Sequence, residues 1–269
     1  MLRTSITQGV QRFVSTQSEM QCKRLQGKVA IVTASTEGIG FAIARRLAQE
    51  GAKVMISSRK QSNVDKALKE LKSEGLEVSG LICHVSKSED RKNLFNKTIE
   101  SYGGLDILVS NAAVNPDVGP ILDCSEKLWD KVFDVNVKST FLLMQESLPF
   151  LRKSKSASII MISSIAGFVL GVYSVSKTAL LGLCKCSALQ LAPEGIRVNC
   201  IAPGLIKTKF SAPLVSSESI QNYNLSMIPM GRIGEPNDIS GIAAFLASDD
   251  ASFITGENLV AAGGQLSRL

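Results

Sequence analysis

Histidine occurs only once in this 269-residue chain, as His84. Histidine-rich metal sites and serine–histidine–aspartate hydrolases both depend on imidazole groups, so this scarcity argues against both classes, and we expect no metal site. Any chemistry must then depend on tyrosine, lysine, serine, carboxylates or a bound cofactor. The composition is 45% hydrophobic and 20% charged, as in ordinary globular proteins, which excludes global disorder.

Other absences narrow the class further. The six cysteines lack the Cys-x-x-Cys spacing of a zinc site, so we expect buried free thiols in a reducing compartment. One run of 21 residues without a charge, 156–176, contains six serines and two glycines. This composition favours a buried strand and a loop over a membrane span, and we expect no transmembrane segment.

The excess of six positive charges is concentrated near the N-terminus. Residues 1–28 carry a net charge of +4, and the remaining 241 residues carry only +2. A nearly neutral body argues against a nucleic-acid partner. Residues 1–26 are rich in serine, threonine and glutamine, with no acidic residue before Glu19. They predict either an organelle transit peptide or a disordered segment, ahead of one folded domain at 27–269.

From residue 27 onward, short apolar runs alternate with longer segments of helical periodicity. This alternation predicts a mostly parallel sheet covered by helices on both faces, the doubly wound α/β (Rossmann) class, in a single domain. The predicted strands are 28–33, 54–57, 78–84, 107–110, 158–163, 196–201 and 258–261. The predicted helices are 40–50, 63–73, 88–102, 125–151, 173–192 and 236–247. Residues 211–230 interrupt the rhythm and predict a mobile insertion over a site.

The first predicted strand runs into a glycine-containing turn and then a helix. Glycines at such a turn let the backbone approach a pyrophosphate, and the helix N-terminus offers free N–H groups and the positive end of its dipole. The alternative is a plain tight turn without a ligand. The candidate cofactor-binding residues of this turn are Thr33, Ser35, Gly38, Ile39 and Gly40.

The second predicted strand ends in Ser57-Ser58-Arg59-Lys60, where an NAD site would have a carboxylate for the ribose hydroxyl. The side chains of Ser58, Arg59 and Lys60 instead suit the 2′-phosphate of NADP(H), which is the cofactor we expect. A solvated basic turn without a ligand is the alternative.

Tyr173 and Lys177 are four residues apart on a predicted helix and therefore share one of its faces. A neighbouring ammonium group favours the phenolate, so we expect Lys177 to lower the pKa of Tyr173 and make it an acid–base group near neutral pH. Such a pair alone is common on surface helices. Its weight comes from the preceding strand, which ends at Ser163-Ser164 and can present a hydroxyl beside the tyrosine.

Several motifs occur in the order typical of the short-chain dehydrogenase/reductase family, which the chain resembles from about residue 27 to 264. These motifs are Gly38-Ile39-Gly40, Asn111-Ala112-Ala113, Asn136, Ser163-Ser164, Tyr173 with Lys177, and Pro203-Gly204. Residues 107–114, 175–183 and 197–208 and the final Ser267-Arg268-Leu269 resemble one branch of the family. That branch contains the peroxisomal NADP-dependent carbonyl reductases and retinol dehydrogenases.

The resemblance implies a role for each catalytic residue. Tyr173 would be the general acid in carbonyl reduction, and Lys177 would hold the nicotinamide ribose. Ser164 would hydrogen-bond the substrate oxygen, with Ser163 as its competitor. Asn136 would fix a water that relays protons to Lys177, or would satisfy backbone groups at a helix irregularity.

The resemblance also adds residues to the cofactor site. Asn111 and Ala112 would line the adenosine side, unless Asn111 only joins neighbouring strands, and His84 would pack near the adenine. The further cofactor residues that it implies are Tyr173, Lys177, Pro203, Gly204, Ile206 and Thr208. Of these, the two that follow the Pro-Gly turn would contact the nicotinamide carboxamide.

Two departures from the family pattern bear on activity. Ala34 replaces the usual first glycine of the nucleotide turn, a change that is tolerable if its φ stays negative. Ser164 and Tyr173 are nine positions apart instead of about a dozen, so the loop 165–172 is short. Because this loop forms a wall of the pocket, its length bears on substrate shape and on catalysis.

These features together predict NADPH-dependent reduction of ketones and aldehydes, reversible toward alcohol oxidation. The substrates would be small lipophilic carbonyls or alcohols, such as retinal, ketosteroids or α-dicarbonyls. The alternatives are an NADP-binding protein with little catalysis, because of the short loop, and a 3-oxoacyl reductase. The family resemblance implies a homotetramer. The tripeptide Ser267-Arg268-Leu269 predicts a peroxisomal location, with the mitochondrion as the alternative through the basic N-terminal segment.

Overall fold

A computed structural model describes residues 23–116, 119–165, 171–212 and 218–265. Its strands are β1 (Val29–Val32), β2 (Lys53–Ser58), β3 (Val78–Ile82), β4 (Ile107–Ser110), β5 (Ala157–Ile162), β6 (Ile196–Pro203) and β7 (Asn258–Ala261). They form one parallel sheet in the order β3-β2-β1-β4-β5-β6-β7. This topology confirms the predicted doubly wound α/β fold in a single domain.

Helices cover both faces of the sheet. They are α1 (Gly38–Gln49), α2 (Gln61–Ser73), α3 (Ser88–Tyr102), α4 (Glu126–Phe133), α5 (Ser139–Leu151), α6 (Gly171–Leu191), α7 (Glu218–Ser226) and α8 (Pro236–Ala247). Side chains alternate along each strand, so Ala30 and Val32 of β1 pack with α1 and α8, while Ile31 packs with α3, α5 and α6. Every residue of β1 is buried, as expected for a strand covered on both sides.

The order in which the chain adds strands to the sheet reverses after β3. Strands β2 and β3 lie on one side of β1, and β4 to β7 lie on the other. The carboxyl ends of the strands at such a switch point border a crevice in which α/β proteins bind ligands. The polar motifs that follow β1, β2, β4 and β5 therefore lie along one edge of the sheet. This edge is where the candidate site is found.

The predicted helix 125–151 is divided in two. The π-helical turn Asp134–Lys138 separates α4 from α5, so the prediction of one continuous helix is wrong. A π turn accommodates an additional residue and commonly marks a functional site. Here it contains Asn136, whose side chain is directed into the protein and is 1% exposed.

The folded domain begins earlier than residue 27. Leu25 is fully buried, and the Arg24 guanidinium binds the Glu50 carboxylate at 2.8 Å. Residues 23–26, which the composition assigns to the N-terminal segment, are therefore part of the packed structure. Residues 1–22 lie outside the described part of the chain. The predicted insertion 211–230 contains α7 in its described part.

The cysteines are not all buried. Cys83, Cys184 and Cys200 are buried as predicted, whereas Cys124 is half-buried and Cys186 is exposed on α6. None of the described helices is long and apolar enough to cross a membrane. Among the described residues, no three His, Cys, Asp or Glu side chains are grouped so that they could hold a metal ion.

Candidate active site

The turn between β1 and α1 has the shape that a dinucleotide needs. Gly38 has a φ of +59°, and a Cβ atom on Gly40 would lie 2.4 Å from Asn111 Nδ2 and 2.6 Å from the Ala34 carbonyl oxygen. The residue before α1, Glu37, makes no side-chain capping bond to the helix. The first N–H groups of α1 therefore remain available to an anion, and the turn fits a pyrophosphate.

Ala34 does not have the negative φ that would make an alanine tolerable in this turn. Its φ is +49°, and it is the only non-glycine residue with a positive φ in the described part of the chain. This conformation costs about 1–3 kcal/mol and persists where the surroundings determine it. Asn111 supplies that constraint, because its Nδ2 donates to the carbonyl oxygens of Thr33 (3.0 Å) and Ala34 (3.1 Å). Asn111 thus joins the ends of β1 and β4, which is the structural alternative for this residue.

Thr33 and Ser35 are fully buried and bind protein groups. Thr33 Oγ1 accepts from the N–H groups of Asn111 (3.0 Å) and Ala112 (3.2 Å). Ser35 Oγ accepts from the Ser57 N–H group (3.1 Å) and donates to a β1 carbonyl. Both hydroxyls therefore hold the ends of β1, β2 and β4 together. They shape the nucleotide turn, and their side chains do not face its surface.

The basic residues after β2 lie at the far end of this edge. Ser58 is half-buried, whereas Arg59 and Lys60 are exposed and form no ion pair with a described acidic residue. They lead into α2, whose first turn contains no acidic residue. The Cys83 N–H group donates to the Ser58 carbonyl (2.9 Å), which holds the next residue, His84, beside β2. His84 Nδ1 is buried without a described hydrogen-bond partner. This group of residues fits a phosphorylated ribose and its base.

Helix α6 carries the predicted acid–base pair at the β5 end of the edge. Tyr173 is 7% exposed and Lys177 is 2% exposed. Lys177 Nζ donates to the Ile162 carbonyl oxygen (2.7 Å) and lies 5.7 Å from the centre of the Tyr173 ring. Burial lowers the pKa of Lys177 to about 8, because an ammonium group is poorly solvated there.

The expectation that Lys177 lowers the pKa of Tyr173 is wrong for this geometry. Burial raises the pKa of Tyr173, and the hydrogen bond with Ser164 opposes only part of that effect. The Lys177 ammonium donates to the Ile162 carbonyl oxygen, so it does not offset the effect of burial on the pKa of Tyr173. Tyr173 therefore keeps its proton well above neutral pH, which is the form that a general acid needs.

The two serines after β5 have different partners. Ser163 is buried, and its Oγ donates to the Lys177 carbonyl oxygen (2.7 Å). Ser164 is hydrogen-bonded to the Tyr173 side chain. The geometry therefore favours Ser164 over Ser163 as the hydroxyl beside the acid–base group. The short spacing does not separate Ser164 from Tyr173, although residues 166–170 between them lie outside the described residues.

Asn136 joins the π-helical turn to helix α6. Its Oδ1 accepts from the Val114 N–H group (2.8 Å), and its Nδ2 donates to the Val114 carbonyl oxygen (3.0 Å) and to Ser176 Oγ (2.9 Å). Ser176 lies between Tyr173 and Lys177 and donates to the Tyr173 carbonyl oxygen (2.6 Å). The side chain of Asn136 thus satisfies backbone groups, as the structural alternative predicts, and the water relay stays a prediction. The sequence did not identify Ser176 as a site residue, because it occupies one of the variable positions of the Tyr-x-x-x-Lys motif and no spacing distinguishes it there.

The segment after β6 lies over the dinucleotide turn. Gly204 has no room for a side chain, since its Cβ would lie 2.8 Å from the Ala262 Cα atom. This close approach follows directly on Pro203, the last residue of β6. Ile206 is buried, and Thr208 Cγ2 would lie 3.2 Å from a Cβ atom on Gly38. The predicted residues of this segment are therefore at the same edge as the glycine turn.

Phe210 is a site residue that sequence reasoning missed. Its ring centre lies 5.8 Å from that of Tyr173, with the two rings tilted by 47°. It adds to one of the two groups that the predicted site residues form, the group of Ser164, Tyr173 and Lys177; the other group surrounds the glycine turn. No periodicity links positions 173 and 210, so only the folded structure brings the two rings together.

Known proteins resemble the chain over most of its length. A family model described as enoyl-(acyl carrier protein) reductase matches residues 33–265. Dehydrogenase/reductase SDR family member 4 of Bos taurus is 54% identical over 249 residues, which cover 91% of this chain and 89% of the relative. The Homo sapiens protein of the same name is 53% identical over 249 residues, covering 91% and 90%. Tropinone reductase-like 3 of Erythroxylum coca is 51% identical over 258 residues, covering 94% and 99%. The chain therefore belongs to the short-chain dehydrogenase/reductase family of oxidoreductases, whose members use NAD(H) or NADP(H).

Proposed function

We propose that this chain is an NADP(H)-dependent reductase of ketones and aldehydes that also oxidises the corresponding alcohols. The observation that carries the proposal is the hydrogen bond between Ser164 and Tyr173, with Lys177 on the next turn of the same helix. A carbonyl oxygen that binds between the two hydroxyls meets two donors, one of which can give up its proton. The glycine turn lies at the same edge of the sheet.

The residues divide the proton chemistry among them. When bound, the nicotinamide supplies the hydride that reduces the carbonyl carbon. Ser164 orients the carbonyl oxygen, and Tyr173 donates a proton to it. The phenolate that remains is stabilised by the Ser164 hydroxyl, and Lys177, one helical turn away, would hold the nicotinamide ribose. The burial of Tyr173 and Lys177 limits competition from water for that proton.

The proposal of NADP(H) over NAD(H) depends on the end of β2. The turn after this strand presents Arg59 and Lys60 without a carboxylate that would accept from a free ribose hydroxyl. Both side chains are exposed, so they can reach a 2′-phosphate without first breaking an ion pair to a described residue. The half-buried Ser58 can add a hydroxyl donor.

The proposed substrates are lipophilic carbonyls such as retinal, ketosteroids or α-dicarbonyls. Support comes from the apolar ring of Phe210, which lies beside Tyr173 and is 51% exposed. A second candidate is reduction of 3-oxoacyl thioesters, since the matching family model is described by a reductase whose substrates are also acyl thioesters. A third candidate is an NADP-binding protein with little turnover, because of the short loop before Tyr173.

A steady-state panel separates these candidates. Retinal, a ketosteroid, an α-dicarbonyl and a 3-oxoacyl thioester are each assayed with NADPH and with NADH. We expect NADPH to be oxidised fastest with the free carbonyls. Faster turnover of the thioester would support the oxoacyl alternative, and NADPH binding without turnover of any substrate would support the non-catalytic one.

Tyr173→Phe tests the mechanism. Removing the proton donor is expected to lower kcat about 10²- to 10⁴-fold, while NADPH binding in a fluorescence titration stays unchanged. Tyr223→Phe is the matched control, since Tyr223 is 68% exposed on α7. Turnover that survives the Tyr173 change would contradict the assignment of the general acid.

We further propose a homotetramer. Helices α4, α5 and α6 expose Trp129, Phe141 and Leu189 and border a cavity of about 840 Å³ lined in part by Phe133 and Leu183. Apolar surface of this kind is typical of subunit interfaces. Light scattering is expected to give a mass four times that of the chain, and a monomer mass would contradict the proposal.

For location, we propose the peroxisome, through Ser267-Arg268-Leu269, which lies outside the described residues. The test is a fluorescent protein fused to the N-terminus, with and without these three residues. We expect peroxisomal signal that is lost with the tripeptide. Mitochondrial signal from a C-terminal fusion would support the alternative, in which residues 1–26 are a transit peptide.

A further inference from the structure

Residues 208–211 form a turn that binds itself. The Thr208 N–H group donates to Ser211 Oγ (3.1 Å), the Ser211 N–H group donates to Thr208 Oγ1 (3.3 Å), and Ser211 Oγ donates to the Ile206 carbonyl oxygen. Ser211 is only 6% exposed. Thr208 also lies against Gly38 of the dinucleotide turn. These hydrogen bonds give the turn one defined shape. The contact between Thr208 and Gly38 fixes its position relative to the nucleotide half of the site.

The next two side chains of this turn reach opposite halves of the site. Lys209 Nζ lies 2.6 Å from Glu37 Oε2, on the residue that precedes α1. Phe210 extends the other way and packs its ring on that of Tyr173. A single rigid turn therefore contacts both the start of the dinucleotide-binding helix and the acid–base tyrosine.

We propose that Phe210 closes the reaction pocket over Tyr173 and thereby determines substrate specificity, and that the Lys209–Glu37 ion pair holds it in this position. The specificity part rests on the proposed carbonyl reductase function. Tyr173 is 7% exposed, while the Phe210 ring that packs on it is 51% exposed. One part of the Phe210 ring therefore packs on the tyrosine, and the rest of the ring is open to solvent beside it. A carbonyl that reaches Tyr173 must place one of its substituents against this apolar ring.

The ion pair supplies only a weak restraint. The side chains of Lys209 and Glu37 are 85% and 54% exposed, so water and salt screen the attraction between them. The position of Phe210 should therefore depend on ionic strength. The rest of the turn is held by its own hydrogen bonds, so its position should not depend on ionic strength.

The first experiment measures the shielding of Tyr173 without any need for turnover. Tetranitromethane nitrates accessible tyrosines, and peptide mass spectrometry gives the rate for Tyr173 relative to the exposed Tyr223 in the same chain. We expect Phe210→Ala to increase the relative rate for Tyr173 several-fold. Phe253→Ala, at a fully exposed phenylalanine, is the matched control and should leave the rate unchanged.

The second experiment separates KM from kcat. Phe210→Ala is expected to raise the KM of a small apolar ketone about 3- to 10-fold, with a smaller change in kcat, because an aromatic contact is lost. Phe210→Leu should restore part of the loss. The affinity for NADPH should stay within about twofold of the parent, since Phe210 lies on the tyrosine side of the turn.

A double-mutant cycle tests the ion pair. Lys209→Met and Glu37→Gln should each raise the Tyr173 nitration rate by less than Phe210→Ala does, and the double variant should be no worse than either single change. High salt should have the same effect on the parent protein. Lys207→Met is the matched control, because Lys207 lies 3.9 Å from Glu235 on a neighbouring part of the surface.

The outcomes distinguish the parts of the proposal. Unchanged nitration of Tyr173 in Phe210→Ala overturns the shielding role, whether or not the protein turns over a carbonyl. Increased nitration with unchanged KM overturns the specificity role. Additive effects of Lys209→Met and Glu37→Gln overturn the role of the ion pair. A parent protein that shows the nitration effects but reduces no carbonyl refutes the proposed function and leaves the shielding by Phe210 supported.

Discussion

The two ends of the site present different groups to their ligands. At the β1 end, Thr33 accepts from the N–H groups of Asn111 and Ala112, which follow the neighbouring strand β4. The surface left for a ligand is the backbone at the start of α1. At the β5 end, the side chains of Ser164 and Tyr173 bind each other. A diphosphate carries fixed charge, which backbone dipoles recognise without ionising. A carbonyl that is being reduced needs a proton, and only a titratable side chain can supply it.

Burial distinguishes the two ends as well. The Tyr173 and Lys177 side chains are almost fully buried, and their pKa values move in opposite directions because both resist ionisation there. Arg59 and Lys60 are exposed. Substitutions at the β5 end should therefore change the rate of the chemical step, and those at the nucleotide end should change cofactor affinity or stability.

After Tyr173→Phe, the largest effect is expected from Ser164→Ala. It removes a donor to the carbonyl oxygen, so kcat/KM should fall about 10²- to 10³-fold while NADPH affinity is retained. Ser163→Ala is the matched control: it removes the donor to the Lys177 carbonyl and should lower the free energy of unfolding by about 1 kcal/mol with most turnover retained. Steady-state kinetics and denaturant unfolding give the two readings. A greater loss of turnover in Ser163→Ala would reverse the assignment.

At the nucleotide end, Arg59→Asp should act on affinity. Replacing the cation by a carboxylate is expected to raise the KM for NADPH about 10- to 100-fold, with a much smaller effect for NADH and on kcat. Lys155→Asp, at an exposed lysine in the loop before β5, controls for the change in net charge. If NADPH and NADH were affected equally, Arg59 would not bind the 2′-phosphate.

The pH dependence of stability should reveal the buried lysine. The pKa of Lys177 is about 8 in the folded protein against 10.5 in its unperturbed state, so between these values the unfolded chain binds more protons. The free energy of unfolding should therefore rise with pH across this window through Lys177. Above pH 10 it should fall through Tyr173, whose raised pKa makes the folded state hold its proton longer.

Denaturant titrations at several pH values measure this effect, with Lys177→Met as the comparison. The variant should lack the rise between pH 8 and 10.5. The ammonium proposed to hold the nicotinamide ribose is also lost from the folded protein through pH 8, so the rate of carbonyl reduction should fall there. A stability profile that is the same in both proteins would contradict the perturbed pKa.

The smallest effect is expected from Ala34→Gly. Glycine adopts a φ of +49° without a steric penalty, so the free energy of unfolding should rise by about 1 kcal/mol. The same change at Ala42, inside α1, should have the opposite sign and lower it by about 1 kcal/mol. Thermal or denaturant unfolding checks both. A loss of stability in Ala34→Gly would show that the alanine is not strained.

Much of the scaffold was predictable from local patterns. The helices Ser88–Tyr102 and Pro236–Ala247 and the strands Ile107–Ser110 and Asn258–Ala261 begin and end where periodicity and turn residues place them. The position of the site was predictable for a topological reason, since motifs that follow parallel strands lie at one edge of the sheet.

The remaining features depend on distant contacts. The π-helical turn is associated with bonds from Asn136 to Val114 and Ser176, which are 22 and 40 positions away in the chain. The direction of the Tyr173 pKa shift depends on how deeply the ring is buried, which spacing does not reveal. The positive φ of Ala34 follows from the groups that bind its carbonyl oxygen. None of these can be deduced from neighbouring residues.

The ion pairs at the beginning of the domain limit where proteolytic maturation could occur. Arg24 binds both Glu50 and Asp250, and Lys28 binds Asp249, so the first described residues are joined to a segment more than 200 positions later. Cleavage after Arg24 would leave the buried Glu50 carboxylate with Arg46 as its only remaining ion-pair partner among the described residues. A cut before Arg24 would leave all three of these ion pairs in place.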